Sequence, residues 1–184
     1  MDAYTLLGAI DPLPAWIAAG AIATLFGHAA VAKLMDRSLF EQHLAAYGVP
    51  HAALPLLAWA LPLLEAATAL LLLTPWRTVA AALALVLLLA YAMAMAWHLA
   101  RGHVLDCGCG GAPMAVSWVL VVRNLALAAI AAAVLWPVAQ RTLGWADFLA
   151  VAAVLLLAVL VYAALHEVLR HQHRVASAHA LRRL

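Results

Sequence analysis

Five apolar stretches, at 13–32, 53–74, 78–100, 117–136 and 147–165, are separated by short polar gaps. Each is close to the length of about 20 residues that a helix needs to cross a hydrocarbon core of roughly 30 Å. The pattern predicts an all-α integral membrane protein: a helical bundle of four core transmembrane helices, a fifth C-terminal span and a short interfacial helix, all in one domain over 1–184. The interfacial helix is read from Ser38-Leu39-Phe40-Glu41, a capping-box pattern. Phe40, His43, Leu44 and Tyr47 then recur at helical spacing, and Gly48 and Pro50 stop the run. A helix over 38–47 follows, lying at the membrane surface; an ordered loop is the alternative.

Composition agrees with this pattern. The 184 residues are 69% hydrophobic and 10% charged, with mean hydropathy +1.04, far from the range of a soluble domain. A net charge of +2, scattered through apolar sequence, excludes a nucleic-acid partner and leaves the basic residues to set topology. The first twelve residues hold two acids and no Lys or Arg, so the first span is expected to be retained rather than cleaved as a signal peptide. The tail, with four His and four Arg after 165, reads as a solvated basic segment, with metal binding as the alternative.

The polar residues inside the runs carry the candidate chemistry. Lys33 ends the first span. In the second, Pro55 and Pro62 are expected to kink the first half, and Glu65 lies near the centre. An acid at that depth costs several kcal/mol unless it is paired, protonated or hydrated, which marks either a site or a hydrogen-bonded tie between helices. Arg123 and Asn124 interrupt the fourth span, and Arg123 must point into the bundle or snorkel. Tyr91, Met95 and His98 share a face of the third span; with Trp118 they are candidates to line an aromatic head-group pocket, packing being the alternative.

Both cysteines of the chain lie in one polar gap, Asp106-Cys107-Gly108-Cys109-Gly110-Gly111. Residues two apart fall within the usual Cα separation of a disulfide, about 4.4–6.8 Å, and Gly108 permits the turn. As a staple the bond would be weak, since closing a three-residue loop gives only about 1.6 kcal/mol. A strained, exposed disulfide suits redox exchange instead. Two alternatives stay open: a pair of unpaired loop thiols, or a soft-metal site with His103 as third ligand, for which no fourth ligand is evident. Arg101 and the start of the fourth helix would favour a thiolate, while Asp106 would oppose it and relay a proton.

With five spans, the odd-numbered ones end on one face, the cysteine face. Lys33, the interfacial helix, the 91/95/98 face, the loop 101–113 and the tail belong there. Arg123 then lies about two turns in and Glu65 about three. Lys33, Glu65 and Arg123 are therefore expected to form one buried network under the loop.

These residues resemble the MauE family of methylamine-utilisation membrane proteins. Asp106-Cys107-Gly108-Cys109-Gly110-Gly111, Ser117-Trp118 and Arg123-Asn124-Leu125 carry the specific part. Ala32-Lys33-Leu34, Asp36, Phe40, Tyr47-Gly48-Val49-Pro50 and Pro62-Leu63-Leu64-Glu65 look like the wider DoxX-like group. The resemblance spans roughly 20 to 135. Gly110 departs from it, standing where the family pattern has a bulky aromatic. The resemblance implies a bacterial inner-membrane protein acting with a thioredoxin-like partner, MauD, in maturing a periplasmic amine dehydrogenase whose small subunit is rich in disulfides. A plan-level analogy to quinone-linked thiol oxidases of the DsbB type makes quinone the candidate cofactor.

Orientation is pulled two ways. Lys33, Arg37, Arg101, Arg170, Arg174, Arg182 and Arg183 flank the cysteine face, against Arg77 and Arg141 on the other. The positive-inside rule would place the cysteines in the cytoplasm. Disulfide chemistry and the resemblance place them in the periplasm, which is the expectation taken here. The expected function is a membrane thiol–disulfide redox protein with Cys107 and Cys109 as the reacting pair. The alternatives are a transmembrane carrier of reducing equivalents and a soft-metal transporter or chaperone.

Overall fold

A computed structural model describes residues 10–103, 105–106, 115–139, 141–160 and 163. Among them are six helices: α1 Pro12–Met35, α2 Arg37–Ala46, α3 Leu54–Leu72, α4 Arg77–Ala100, α5 Trp118–Val134 and α6 Trp145–Leu160. The chain divides into two compact units, one running to Arg141 and the other from Thr142. In the first unit α4 packs most extensively on α5, α1 packs on α3, and α2 lies against α3 and α1.

Three of these helices, α1, α3 and α4, are long and apolar enough to cross a membrane. The 17 residues of α5 span about 25 Å, and Trp118 and Trp136 flank it as interfacial anchors do. The protein is an all-α, multi-pass membrane protein. In the second unit Asp147 caps the start of α6 by accepting from the Gly144 N–H at 2.8 Å. The expected continuation of this span to 165 lies outside the described residues, apart from Ala163.

Small residues dominate the packed faces. Ala19, Ala23, Ala69, Ala80, Ala81, Ala84, Ala128 and Ala131 are buried in one cluster with Ile22, Phe26, Leu72 and Leu88. In lipid, helices gain little by hiding apolar surface from one another, so close approach of small side chains supplies the dispersion contact instead. The larger apolar residues, among them Val79, Val86, Met93, Val119 and Val122, are exposed, as a lipid-facing surface requires.

The helix ends differ from the sequence reading in two places. Lys33 does not stand outside α1 but lies buried in its last turn. At α2 the cap is Asp36, not Ser38: Asp36 Oδ1 accepts from the Leu39 N–H at 3.0 Å and from the Ser38 hydroxyl at 2.9 Å. A carboxylate accepts both bonds at once, so it outcompetes the serine and moves the cap two residues earlier. The Leu39 amide and then the Ser38 hydroxyl hold the Asp36 carboxyl below its usual range. Pro55 also departs from expectation. It occupies the first turn of α3, where a missing N–H costs nothing, while Pro62 lies inside the helix.

On the face away from the cysteine loop, Ile10 pairs with Val138 through Ile10 N–H to Pro137 O (3.1 Å) and Ala139 N–H to Ile10 O (2.8 Å). Arg141 grips Asp11 from two guanidinium nitrogens at 3.0 and 3.2 Å, and Asp11 caps α1 through the Leu13 N–H.

Two helices end in the same way on the cysteine face. After α2, the Gly48 N–H bonds to Ala45 O and the Val49 N–H to Leu44 O; after α4, Gly102 bonds to Leu99 O and His103 to His98 O. Both are Schellman turns, and both need a left-handed residue, supplied by Gly48 at φ +84° and Gly102 at φ +73°. Replacing either glycine by alanine should therefore cost about 1 kcal/mol through backbone strain, since no neighbour crowds the added methyl. Thermal unfolding in detergent checks this; an unchanged midpoint for both variants would show that the turns relax freely.

Candidate functional site

Two of the three residues expected to form a polar network, Lys33 and Glu65, meet inside the bundle, and Tyr91 joins them. The Lys33 ammonium donates to Glu65 Oε1, and the Tyr91 hydroxyl donates to the same oxygen at 2.7 Å. Glu65 is 1% exposed and Lys33 7%. Three helices meet at this carboxylate: α1 brings Lys33, α3 brings Glu65 and α4 brings Tyr91. The Lys33 ammonium also lies 5.1 Å from the centre of the Tyr91 ring and 5.2 Å from that of Phe40, the one buried residue of α2. Two π faces and a carboxylate thus take over the hydration that a buried ammonium loses. Glu65 Oε2 is buried and accepts no hydrogen bond among the described residues.

Tyr91 was legible as a polar residue on an inward face, but not as the partner of Glu65. The available signal was a phenol and an acid both set in the middle stretches of consecutive spans. Arg123 is half-buried in the second turn of α5, and Asn124 beside it is buried; the bonds that hold Glu65 come from Lys33 and Tyr91.

A second polar group stands where the chain leaves α4. The Schellman turn brings the His98 and His103 rings together, with Nδ1 atoms 3.0 Å apart. Tyr47, at the C-cap of α2, meets the His98 ring edge-on, with centroids 5.0 Å apart and planes at 82°. Beyond the turn the chain forms a neck. Val116 N–H bonds to Leu105 O at 2.8 Å, and Asp106 forms an antiparallel bridge with Ala115. Ser117 continues extended, at φ −144° and ψ 160°, into α5. The neck therefore ties together the two ends of the cysteine segment. Cys107, Gly108 and Cys109 themselves lie outside the described residues.

An apolar collar supports this neck. Ala92, Met95, Val116, Leu120 and Val121 are buried together, with Tyr47, Tyr91, Ala96, Leu99 and Leu105 packed around them. The interfacial helix lies on the cysteine face as expected, and it joins the two polar groups: Phe40 covers Lys33, and Tyr47 packs on the collar. Of the four residues named for a head-group pocket, Tyr91 bonds to Glu65, Met95 fills the collar, His98 pairs with His103, and Trp118 is exposed. Arg101 stacks on Trp97 at 3.9 Å and Arg37 on Trp59 at 4.9 Å, giving the same face two cationic, aromatic anchors.

Burial, and next the Asp106 carboxylate, push the Tyr47 hydroxyl above the usual phenol range. The Tyr47 oxygen is buried and makes no hydrogen bond among the described residues. The Tyr47 side chain is thus held neutral between the collar and a negative charge.

Comparison with known proteins supplies a family. Residues 11–137 match the family described as Methylamine utilisation protein MauE. A relative named Methylamine utilization protein MauE, from Paracoccus denitrificans, is 38% identical over 130 residues, covering 68% of this chain and 70% of the relative. No solved structure matches the chain. The matched region takes in α1 to α5 and stops before α6.

Two outcomes follow from this geometry. Lys33→Met leaves the Glu65 carboxylate uncompensated and should cost about 3–5 kcal/mol, whereas Lys33→Met with Glu65→Gln should recover much of it. Thermal unfolding in detergent would detect the difference; equal losses in the single and double variants would show that the pair is not the tie. For Tyr47, the folded state holds the phenol proton longer than the unfolded chain. Its contribution is complete below the unfolded value near 10 and is lost as pH rises through the folded value. Tyr47→Phe should therefore make stability fall less steeply above about pH 10. Parallel alkaline stability curves for the two proteins would refute that assignment.

Proposed function

As the chain belongs to the MauE family of membrane proteins of methylamine utilisation, we propose that it is a thiol–disulfide redox protein whose Cys107 and Cys109 exchange disulfides with a thioredoxin-like partner of the MauD type. Through that partner it supports disulfide formation in a periplasmic amine dehydrogenase. The bacterial inner membrane holds the bundle, and the cysteine loop faces the periplasm, where such bonds persist.

The observation that carries this reading is the setting of the cysteine segment. The chain has two cysteines, separated by Gly108, in a segment whose ends are clamped by the Leu105–Val116 and Asp106–Ala115 pairings. A clamped neck keeps a short reactive segment at the membrane surface without letting its exchange reaction disturb the helices. The buried Lys33–Glu65–Tyr91 tie holds α1, α3 and α4, and the collar that contacts Tyr91 carries the neck.

Exchange proceeds by attack of a thiolate on a disulfide sulfur, through a mixed disulfide. A partner thiolate attacks the Cys107–Cys109 bond, one loop sulfur leaves as thiolate, and the partner's second thiolate displaces the other. The partner ends oxidised and the loop ends as a dithiol. Electrons pass between the sulfurs of the loop and those of the partner.

Trapping tests the reading. In membranes from cells that make the thioredoxin-like protein, either Cys107→Ser or Cys109→Ser should accumulate a mixed disulfide, seen as a reductant-sensitive band on non-reducing gels. The double variant should give none and should leave the dehydrogenase disulfides incomplete. Full maturation with the double variant, and no trapped species with either single one, would overturn the reading.

A further inference from the structure

The thiol chemistry needs a group that takes and returns protons, and the polar cluster at the neck has the chemistry for it. We propose that His98 and His103 together form the proton-exchange site of the cysteine loop, accepting the proton that a loop thiol gives up and returning it when a thiolate is displaced. This rests on the thiol-exchange reading above. The cluster consists of His98, His103, Tyr47 and Asp106, and the loop thiols are what it serves.

At 3.0 Å between Nδ1 atoms, one ring donates and the other accepts, so one proton lies between them. With both rings neutral, each of the two carries a single proton, and one Nε2 is free to take another. Protonation there turns a neutral hydrogen bond into a charge-assisted one, roughly twice as strong. A second added proton would place hydrogens on both facing nitrogens and break the contact. The pair is therefore built to take up one proton, which is what one ionising thiol releases.

The surroundings fit that task. His103 is exposed and His98 half-buried, so the pair reaches water as well as the neck. Tyr47 holds the His98 ring edge-on, and the turn closed by His103 N–H to His98 O fixes both residues against each other. Asp106, which acts on Tyr47 electrostatically, supplies a negative charge at the neck to balance an imidazolium. The nearby cation, Arg101, is stacked on Trp97. Cys107 follows Asp106 directly in the sequence and lies four positions after His103.

The proton and electron count closes. When a loop thiol attacks a partner's disulfide, its S–H proton passes to an imidazole, a sulfur–sulfur bond forms to the partner, and the partner's other sulfur leaves as a thiolate. The second loop thiol displaces the remaining partner sulfur. The loop is oxidised to a disulfide, the partner is reduced to a dithiol, and both protons end on the partner's thiols. In the direction proposed above, the two partner thiols give up their protons to the same pair as they attack first the loop disulfide and then the mixed disulfide, the two displaced loop thiolates take those protons back, and the partner ends oxidised.

Alkylation of the reduced full-length protein by iodoacetamide in detergent tests this without any partner, and the two cysteines are the only sulfhydryls that report. At neutral pH, His98→Gln and His103→Gln should each slow alkylation by about tenfold, because less thiolate forms. Above about pH 10 both variants should match the wild type, since the thiols then ionise unaided. Equal rates at neutral pH would overturn the proposal, and so would a slowing that persists at high pH, which would mark a structural role. A displaced profile combined with failed trapping of a partner would keep the proton site and reject the exchange reading.

Discussion

The structure depends on a charge that has no business in hydrocarbon. Glu65 sits inside α3 in a span apolar enough to cross a membrane, and Lys33 and Tyr91 both donate to one of its oxygens from α1 and α4. Without partners the carboxylate would have to be hydrated or expelled from the membrane. With them it becomes a three-way bond between helices that otherwise have only the weak dispersion contacts of alanine faces to hold them together. Phe40 extends the arrangement to α2 by covering the ammonium.

From that tie the polar features rise in sequence toward the surface. Tyr91 bonds to Glu65 and also packs on the collar of Met95, Leu120 and Val121; Val116 of the same collar pairs with Leu105 to close the neck. Tyr47 reaches the collar from the end of α2, so the interfacial helix is attached at both ends of its length, by Phe40 below and Tyr47 above. The two Schellman turns make this possible. Each reverses the chain within two residues of a helix end, and each depends on a glycine in the left-handed region.

The membrane class, the five apolar runs and the existence of α2 were legible because each follows from hydrophobic length or periodicity, properties that a linear chain displays without its fold. Lys33 and Glu65 could be named as partners for a related reason: two opposite charges in apolar spans have few ways to avoid each other. The resemblance to the MauE family was equally legible, resting on short motifs around the cysteines. Helix boundaries were less so. Whether Asp36 or Ser38 caps α2 turns on the backbone angle at a single residue, and whether Lys33 ends α1 or lies within it turns on whether a partner waits there.

By itself, then, the sequence determined that the chain enters a membrane, where its helices run and which buried charges demand an answer. Only the tertiary structure decided which groups answer them. Tyr91 takes a place at Glu65 because α4 packs beside α3, a neighbour relation that hydropathy does not encode. His98 and His103 face one another because a left-handed glycine folds the chain back after α4. Asp106 and Ala115 meet because the collar brings the two ends of the cysteine segment to one place. Each of these is a contact between residues whose pairing depends on where helices sit, and a one-dimensional pattern carries the cost of burying a charge without showing what will share it.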